Sequence, residues 1–238
     1  MIRGSVRRLY LAIIDRRCRA VQGNPTNARA MVFAPHPDDE TIGCGGTLCR
    51  HAAKGDRVVA VFLTSGELGL KHLPRERAWA IREREAKVAA KILGLAAVEF
   101  LRQPDWTVGD QAAEAARALC PILKRETPQL IYLPHPRDWH PDHRAALTVL
   151  RAALRNAEDP APELRGYEVW TPLSEHDHVE DITAVMPRTL RALRAHRSQL
   201  REFNYERAVR GLNQFRGELA AKCRYAEVFQ TVPLEAAR

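Results

Sequence analysis

The sequence predicts a three-layer, Rossmann-like α/β fold, with a mostly parallel central sheet and helices on both faces. Short apolar runs of strand length recur along the chain, at Ala30 to Ala34 (AMVFA), Arg57 to Leu63 (RVVAVFL) and Leu130 to Leu133 (LIYL). They are apolar nearly throughout rather than alternating, which is the pattern of strands covered on both faces. Longer helical stretches separate them, and strict alternation of strand and helix argues a parallel sheet.

The elements follow in order. An arginine-flanked apolar run, Leu9 to Ile14, reads as an N-terminal helix and is closed by Gly23-Asn24-Pro25. AMVFA is the first strand, ended by Pro35. Thr47 to Lys54 is expected to be helical, stopped by Gly55, where a left-handed residue commonly ends a helix. RVVAVFL follows, then a loop from Leu68 to Leu73. Pro74 opens a charged helix that runs to Leu93 and ends at Gly94. Val98 to Leu101 is a brief strand, and Ala112 to Lys124 a helix despite Pro121, which would kink or shorten it. LIYL closes at Pro134, and Asp142 to Asn156 is helical. Beyond residue 160 the pattern blurs: Tyr167 to Trp170 and Val179 to Ile182 are strand candidates, with helices at about 184–196 and 205–224. The simplest division is a basic helical extension, residues 1–28, and a single domain, residues 29–238.

Composition narrows the class. With 45% hydrophobic and 28% charged residues the chain reads as a soluble globular protein. No stretch reaches the ~18 to 20 apolar residues of a membrane span, and Leu9 to Ile14 is short for a signal peptide. A cytoplasmic location is expected. The net charge of +8 is partly concentrated at Arg3, Arg7, Arg8, Arg16, Arg17 and Arg19. A solvated helix packed on the domain accounts for these, and peripheral contact with an anionic membrane is the less favoured alternative. Nucleic acid is not an expected partner, because aromatics are 6% and no recognition motif is present. Five cysteines without a C-x-x-C argue against a disulfide framework or a cysteine metal site.

Two segments carry chemistry: Ala34-Pro35-His36-Pro37-Asp38-Asp39-Glu40 and Asp138-Trp139-His140-Pro141-Asp142-His143. Both lie just beyond the carboxyl end of an expected strand, where open α/β sheets place ligands. Imidazole and carboxylate are ordinary zinc donors, and catalytic zinc takes three protein ligands plus water. His36 and Asp39, three apart, would point to one side of a helical turn, with His143 completing the set. Asp38 is then placed as general base and His140 to face an oxyanion. Either segment alone reads equally as a turn and a capped helix. Two such clusters, each after a buried-strand pattern, are hard to assign to capping.

Both segments, in this order, resemble the LmbE-like or PIG-L family of zinc-dependent N-acetylglucosaminyl deacetylases. His36 to Thr47 (HPDDETIGCGGT) looks like its first block. Leu63 to Glu67 (LTSGE), Arg82 with Glu85, His196 to Gln199 and Tyr225 to Phe229 resemble later ones. The likeness spans most of the chain from about residue 30. It implies one zinc per chain held by His36, Asp39 and His143, with Asp38 activating water. His140 would stabilise the oxyanion or protonate the leaving amine, with Asp142 orienting it. Arg82 and Asp105 would contact substrate, Asp105 through sugar hydroxyls. The plainer alternatives are a surface partner of Glu85 for Arg82 and a turn residue for Asp105. Glu67 and His135 receive no role, and Gly43, Gly45 and Gly46 are expected to let the helix start approach the site. The implied reaction removes an N-acetyl group from a small-molecule sugar conjugate, giving acetate and a free amine. Another metal-assisted hydrolysis, such as that of a phosphoester, and a basic binding module remain the alternatives.

Overall fold

The computed structural model describes residues 27–155 and 160–234. The expected N-terminal basic helix lies outside the described residues. The strands are β1 (Arg29–Ala34), β2 (Arg57–Phe62), β3 (Ala97–Phe100), β4 (Leu130–Pro134), β5 (Glu163–Tyr167), β6 (His178–Asp181) and β7 (Ala226–Thr231). The helices are α1 (Asp39–Ala53), α2 (Arg75–Leu93), α3 (Ala112–Glu126), α4 (Pro141–Leu154), α5 (Met186–Leu193), the single turn α6 (Arg197–Leu200) and α7 (Tyr205–Arg216).

The sheet order is β3-β2-β1-β4-β5-β7-β6. The first five strands pair in parallel, and β7 joins antiparallel to both β5 and β6. Alternation along β1 divides the core. Met31 and Phe33 join side chains of α3 and α4 on one face. Ala30, Val32 and Ala34 join those of α1, α2 and α5 on the other. That is the expected three-layer α/β architecture. Strand order reverses between β1 and β4, so their carboxyl ends open a crevice at the switch point. The segments Ala34–Glu40 and Asp138–His143 both emerge there.

Several elements depart from the sequence reading. The helix expected from Thr47 begins at Asp39, but Cys44 is non-helical (φ −148°, ψ 20°) and splits it in two. The kink frees the N–H groups of Gly46 and Thr47, and both donate to the Glu227 carboxylate of β7, at 2.8 and 2.7 Å. Pro121 does not end α3. It and Arg117, whose carbonyl loses a partner, lie on the exposed face where water can serve. The strand expected at Tyr167 to Trp170 lies earlier, at Glu163–Tyr167. A buried Arg165, hydrogen-bonded to Glu163 and His178, and Gly166 hid it from a hydrophobicity reading. The last long helix stops at Arg216, and a π turn, Gly217–Ala221, carries the chain to a left-handed Lys222.

The glycines of the first block serve packing. A Cβ on Gly43 would sit 2.2 Å from the Tyr167 ring, and one on Gly46 would sit 2.6 Å from Ile182. α1 can therefore press onto β5 and the segment after β6, which sets its amino end into the crevice.

Candidate metal centre

Three donor atoms meet at the crevice floor. Asp39 Oδ2 lies 3.1 Å from His36 Nδ1 and 3.2 Å from His143 Nε2, and the two nitrogens are 3.3 Å apart. A small cation bound tetrahedrally at about 2.0–2.1 Å needs donor–donor edges of about 3.3 Å. The triangle therefore has the edge lengths of one face of such a site. His36 and Asp39 come together through a turn at the mouth of α1 rather than within a helix. The Asp39 N–H donates to the His36 carbonyl at 3.2 Å, and the His36 N–H to Asp39 Oδ2 at 2.9 Å.

Each imidazole has its far nitrogen against a carboxylate. His36 Nε2 lies 3.1 Å from Asp105 Oδ1 and 3.3 Å from Asp142 Oδ2. His143 Nδ1 lies 3.5 Å from Asp138 Oδ1, long for a hydrogen bond. Carboxylates in these positions keep the proton on the far nitrogen and turn the near one toward a metal. Burial opposes charging of His36, yet hydrogen bonds that it donates to Asp105, Asp142 and Asp39 hold it well above its usual value. Burial likewise opposes His143, and Asp39 with Asp138 outweighs it, to about 8. Asp39, despite burial, is pulled well below the usual carboxylate range by His143 and His36.

Asp38 is almost fully buried, and its backbone is strained, with φ 139° and ψ −27°. Two contacts hold it there. Its N–H donates to Glu40 Oε2 at 3.0 Å, and its carboxylate meets Arg82 Nη2 at 3.2 Å. Burial pushes this carboxyl up to about 6, against the pull of Arg82. Arg82 is no surface partner of Glu85. It is buried and also donates to the carbonyls of Gly66 and Pro37, each at 2.8 Å. Glu85 instead accepts the Ser198 N–H and hydroxyl, fixing α6.

His140 caps α4, its Nδ1 accepting the Asp142 N–H at 3.3 Å. With Nδ1 as acceptor, the proton of the neutral ring sits on Nε2. Burial, then the charges of His36 and His143, depress His140 to about 4, which keeps it neutral. The resemblance implies that Asp142 orients His140. Only its backbone does so, because the carboxylate accepts Trp106 N–H at 2.7 Å and Val108 N–H at 3.1 Å besides facing His36. Asp105, expected at sugar hydroxyls, also has both oxygens engaged, by His36 and by the Leu68 N–H at 3.1 Å. Burial opposes its ionisation, but His36 and Leu68 bring it down to about 2. Asp105→Asn is expected to weaken metal binding on the order of 10–100-fold, measured by competition with a chelator. Unchanged affinity would remove Asp105 from this supporting role.

Asp138 and Glu40 escaped the sequence reading. Asp138 accepts the N–H groups of His140, Trp170 and Thr171, tying the two sides of the crevice together. A carboxylate five residues before the candidate ligand His143 is its only signal in the sequence. Glu67 accepts the Asp105 N–H, and His135 bonds the Thr171 carbonyl, so both are structural.

A cleft of about 640 Å³ opens over the triangle, lined by His36, Asp38, Asp39, Arg82, Asp105 and His140 among others. Among the described residues no helix is long and apolar enough to cross a membrane.

The chain is 28% identical over 226 residues to a diacetylchitobiose deacetylase of Thermococcus kodakarensis, covering 86% of this chain and 83% of that one. It is 30% identical over 183 residues to a probable N-acetyl-alpha-D-glucosaminyl L-malate deacetylase 2 of Bacillus anthracis, covering 71% and 80%. Among solved structures, the N,N′-diacetylchitobiose deacetylase of Pyrococcus horikoshii, complexed with its inhibitor MPG, superposes with a TM-score of 0.79. It is 25% identical, and the match covers 98% of this chain and 94% of that one. The family pattern described as PIG-L, GlcNAc-PI de-N-acetylase, matches residues 31–154, a stretch that holds the donor triangle, Asp38 and the carboxylates behind them, and the chain belongs to that family.

Proposed function

We propose that this chain is a zinc-dependent N-deacetylase acting on an N-acetylglucosamine-type sugar conjugate. The observation that carries this is the His36–Asp39–His143 triangle with a buried carboxylate, Asp38, beside it. Two imidazoles and one carboxylate suit zinc better than calcium or magnesium, which favour all-oxygen shells. The deacetylase names of the relatives supply the acyl group and the sugar class.

A zinc ion here supplies Lewis acidity toward an amide carbonyl and a water at neutral pH. Asp38 takes the proton from the attacking water, and Arg82 keeps its carboxylate oriented in the strained turn. The Nε2–H of neutral His140 is the donor for the oxyanion that develops on the acetamide carbonyl. Collapse of the tetrahedral species breaks the C–N bond: the amine departs with the proton that Asp38 took from the water, and the acyl part is left as acetate.

A two-metal phosphoesterase has less support. Asp105 and Asp142 form a second close group with His36, but both also accept backbone N–H bonds. The deciding experiment is acetate release over a panel of N-acetylglucosamine conjugates, alongside metal content. About one zinc per chain with acetate release is expected. Full zinc occupancy without acetate from any conjugate would overturn the activity, and absence of zinc would overturn the centre.

A further inference from the structure

Large exposed aromatics are costly, and a contiguous group of them marks a binding surface. Trp106, Trp139, Trp170 and Phe203 are 49, 52, 36 and 56% exposed, and all line the cleft above the triangle. They form one continuous arc. Trp106 packs 4.5 Å from His140, and Trp139 follows 6.4 Å from Trp106. Trp170 lies 5.9 Å from Trp139, and Phe203 5.9 Å from Trp170. The arc therefore starts at the proposed oxyanion donor and leads outward.

Two of its members are held through their backbones by the same carboxylates that support the centre. Trp106, at a left-handed φ of 71°, donates its N–H to Asp142, and the Trp170 N–H goes to Asp138. The Trp139 N–H reaches Thr171 Oγ1 at 3.2 Å. The backbone at each of the three tryptophans is thus anchored beside the centre. A bulky residue at positive φ persists only where its surroundings enforce it.

We propose that this arc is a second subsite, in which Trp139 and Trp170 stack against a pyranose ring linked to the N-acetylated sugar. This rests on the deacetylase reading. A pyranose has an apolar C–H face and a rim of hydroxyls, and the cleft supplies a partner for each. The indoles offer broad rigid faces, while Lys71, His72, Gln199 and Glu202 line the same cleft and can hydrogen-bond the rim. A fatty acyl chain is less well matched, because half-exposed tryptophans leave it wet along its length. The protein is accordingly built for at least a two-ring conjugate rather than a free amino sugar.

The test separates binding from turnover. Metal-loaded Asp38→Asn protein is titrated calorimetrically with N-acetylglucosamine and with N,N′-diacetylchitobiose. The two-ring sugar is expected to bind roughly tenfold tighter or more, the scale of one stacked ring. Adding Trp139→Ala or Trp170→Ala should bring the ratio toward one, and Trp139→Phe should restore most of it. A ratio near one in the parent, a ratio that neither alanine changes, or no binding of the two-ring sugar overturns the subsite. Acetate release by the unsubstituted enzyme is read separately. A preserved ratio without acetate would discard the deacetylase reading and leave the subsite standing, and acetate with a ratio near one would do the reverse.

Discussion

Asp38→Asn is expected to lower kcat by about 10²–10⁴-fold, the usual contribution of a general base, with metal content unchanged. The substitution keeps size and shape, and asparagine tolerates positive φ better than most residues, so the strained turn should survive. What it removes is the ability to accept a proton beside the triangle. The pH dependence gives a second readout. A base works deprotonated, so activity is lost as pH falls through its pKa. Burial places the Asp38 carboxyl at about 6, with Arg82 opposing. A bound divalent cation favours the carboxylate further, so the acid limb of kcat/KM should lie at or below that value. The limb should be absent from the residual rate of Asp38→Asn. A variant with full metal and undiminished acetate release would remove Asp38 from the chemistry while leaving the centre intact.

Asp39→Ala is expected to abolish metal binding and with it activity. Asp39 Oδ2 is the shared corner of the triangle, meeting both imidazoles and the His36 N–H. Without it two buried imidazoles remain and no anionic ligand. The readout independent of turnover is thermal. A ligand that binds only the folded state stabilises it by about 4 kcal/mol at a thousand times its Kd. Zinc should therefore raise the Tm of the unsubstituted protein and leave that of Asp39→Ala unmoved. A zinc-dependent shift of equal size in the variant would mean that the ion sits elsewhere.

The parts of this centre legible from sequence were those whose chemistry is local. His36, Asp38 and Asp39 stand together in one turn, and His140 with His143 in another, so residue type and spacing sufficed. The parallel core was legible for a similar reason, because β1, β2 and β4 are apolar on both faces. What stayed hidden depends on partners far along the chain. Asp105 meets His36 across 69 residues, and Glu83 and Glu85 differ in role only because Arg102 and Ser198 arrive from elsewhere. For Arg82, nothing nearby in sequence announces the two backbone carbonyls and Asp38 that it meets. β5 and β7 were obscured by charged residues that the fold buries in pairs or caps, Arg165 and Glu227 among them.

Glu227 has a consequence for the order in which the molecule is made. It closes the kink of α1 across 180 and 181 residues, through Thr47 and Gly46. The matched stretch 31–154 already contains His36, Asp38, Asp39, Arg82, Asp105, His140, Asp142 and His143. A chain emerging from the ribosome thus displays every one of those side chains long before the carboxylate that clamps α1 exists. Contacts of such long sequence separation form late and slowly. The seating of α1, and with it of Asp39 at its first turn, is therefore tied to the docking of β7, a strand that carries none of the reacting groups.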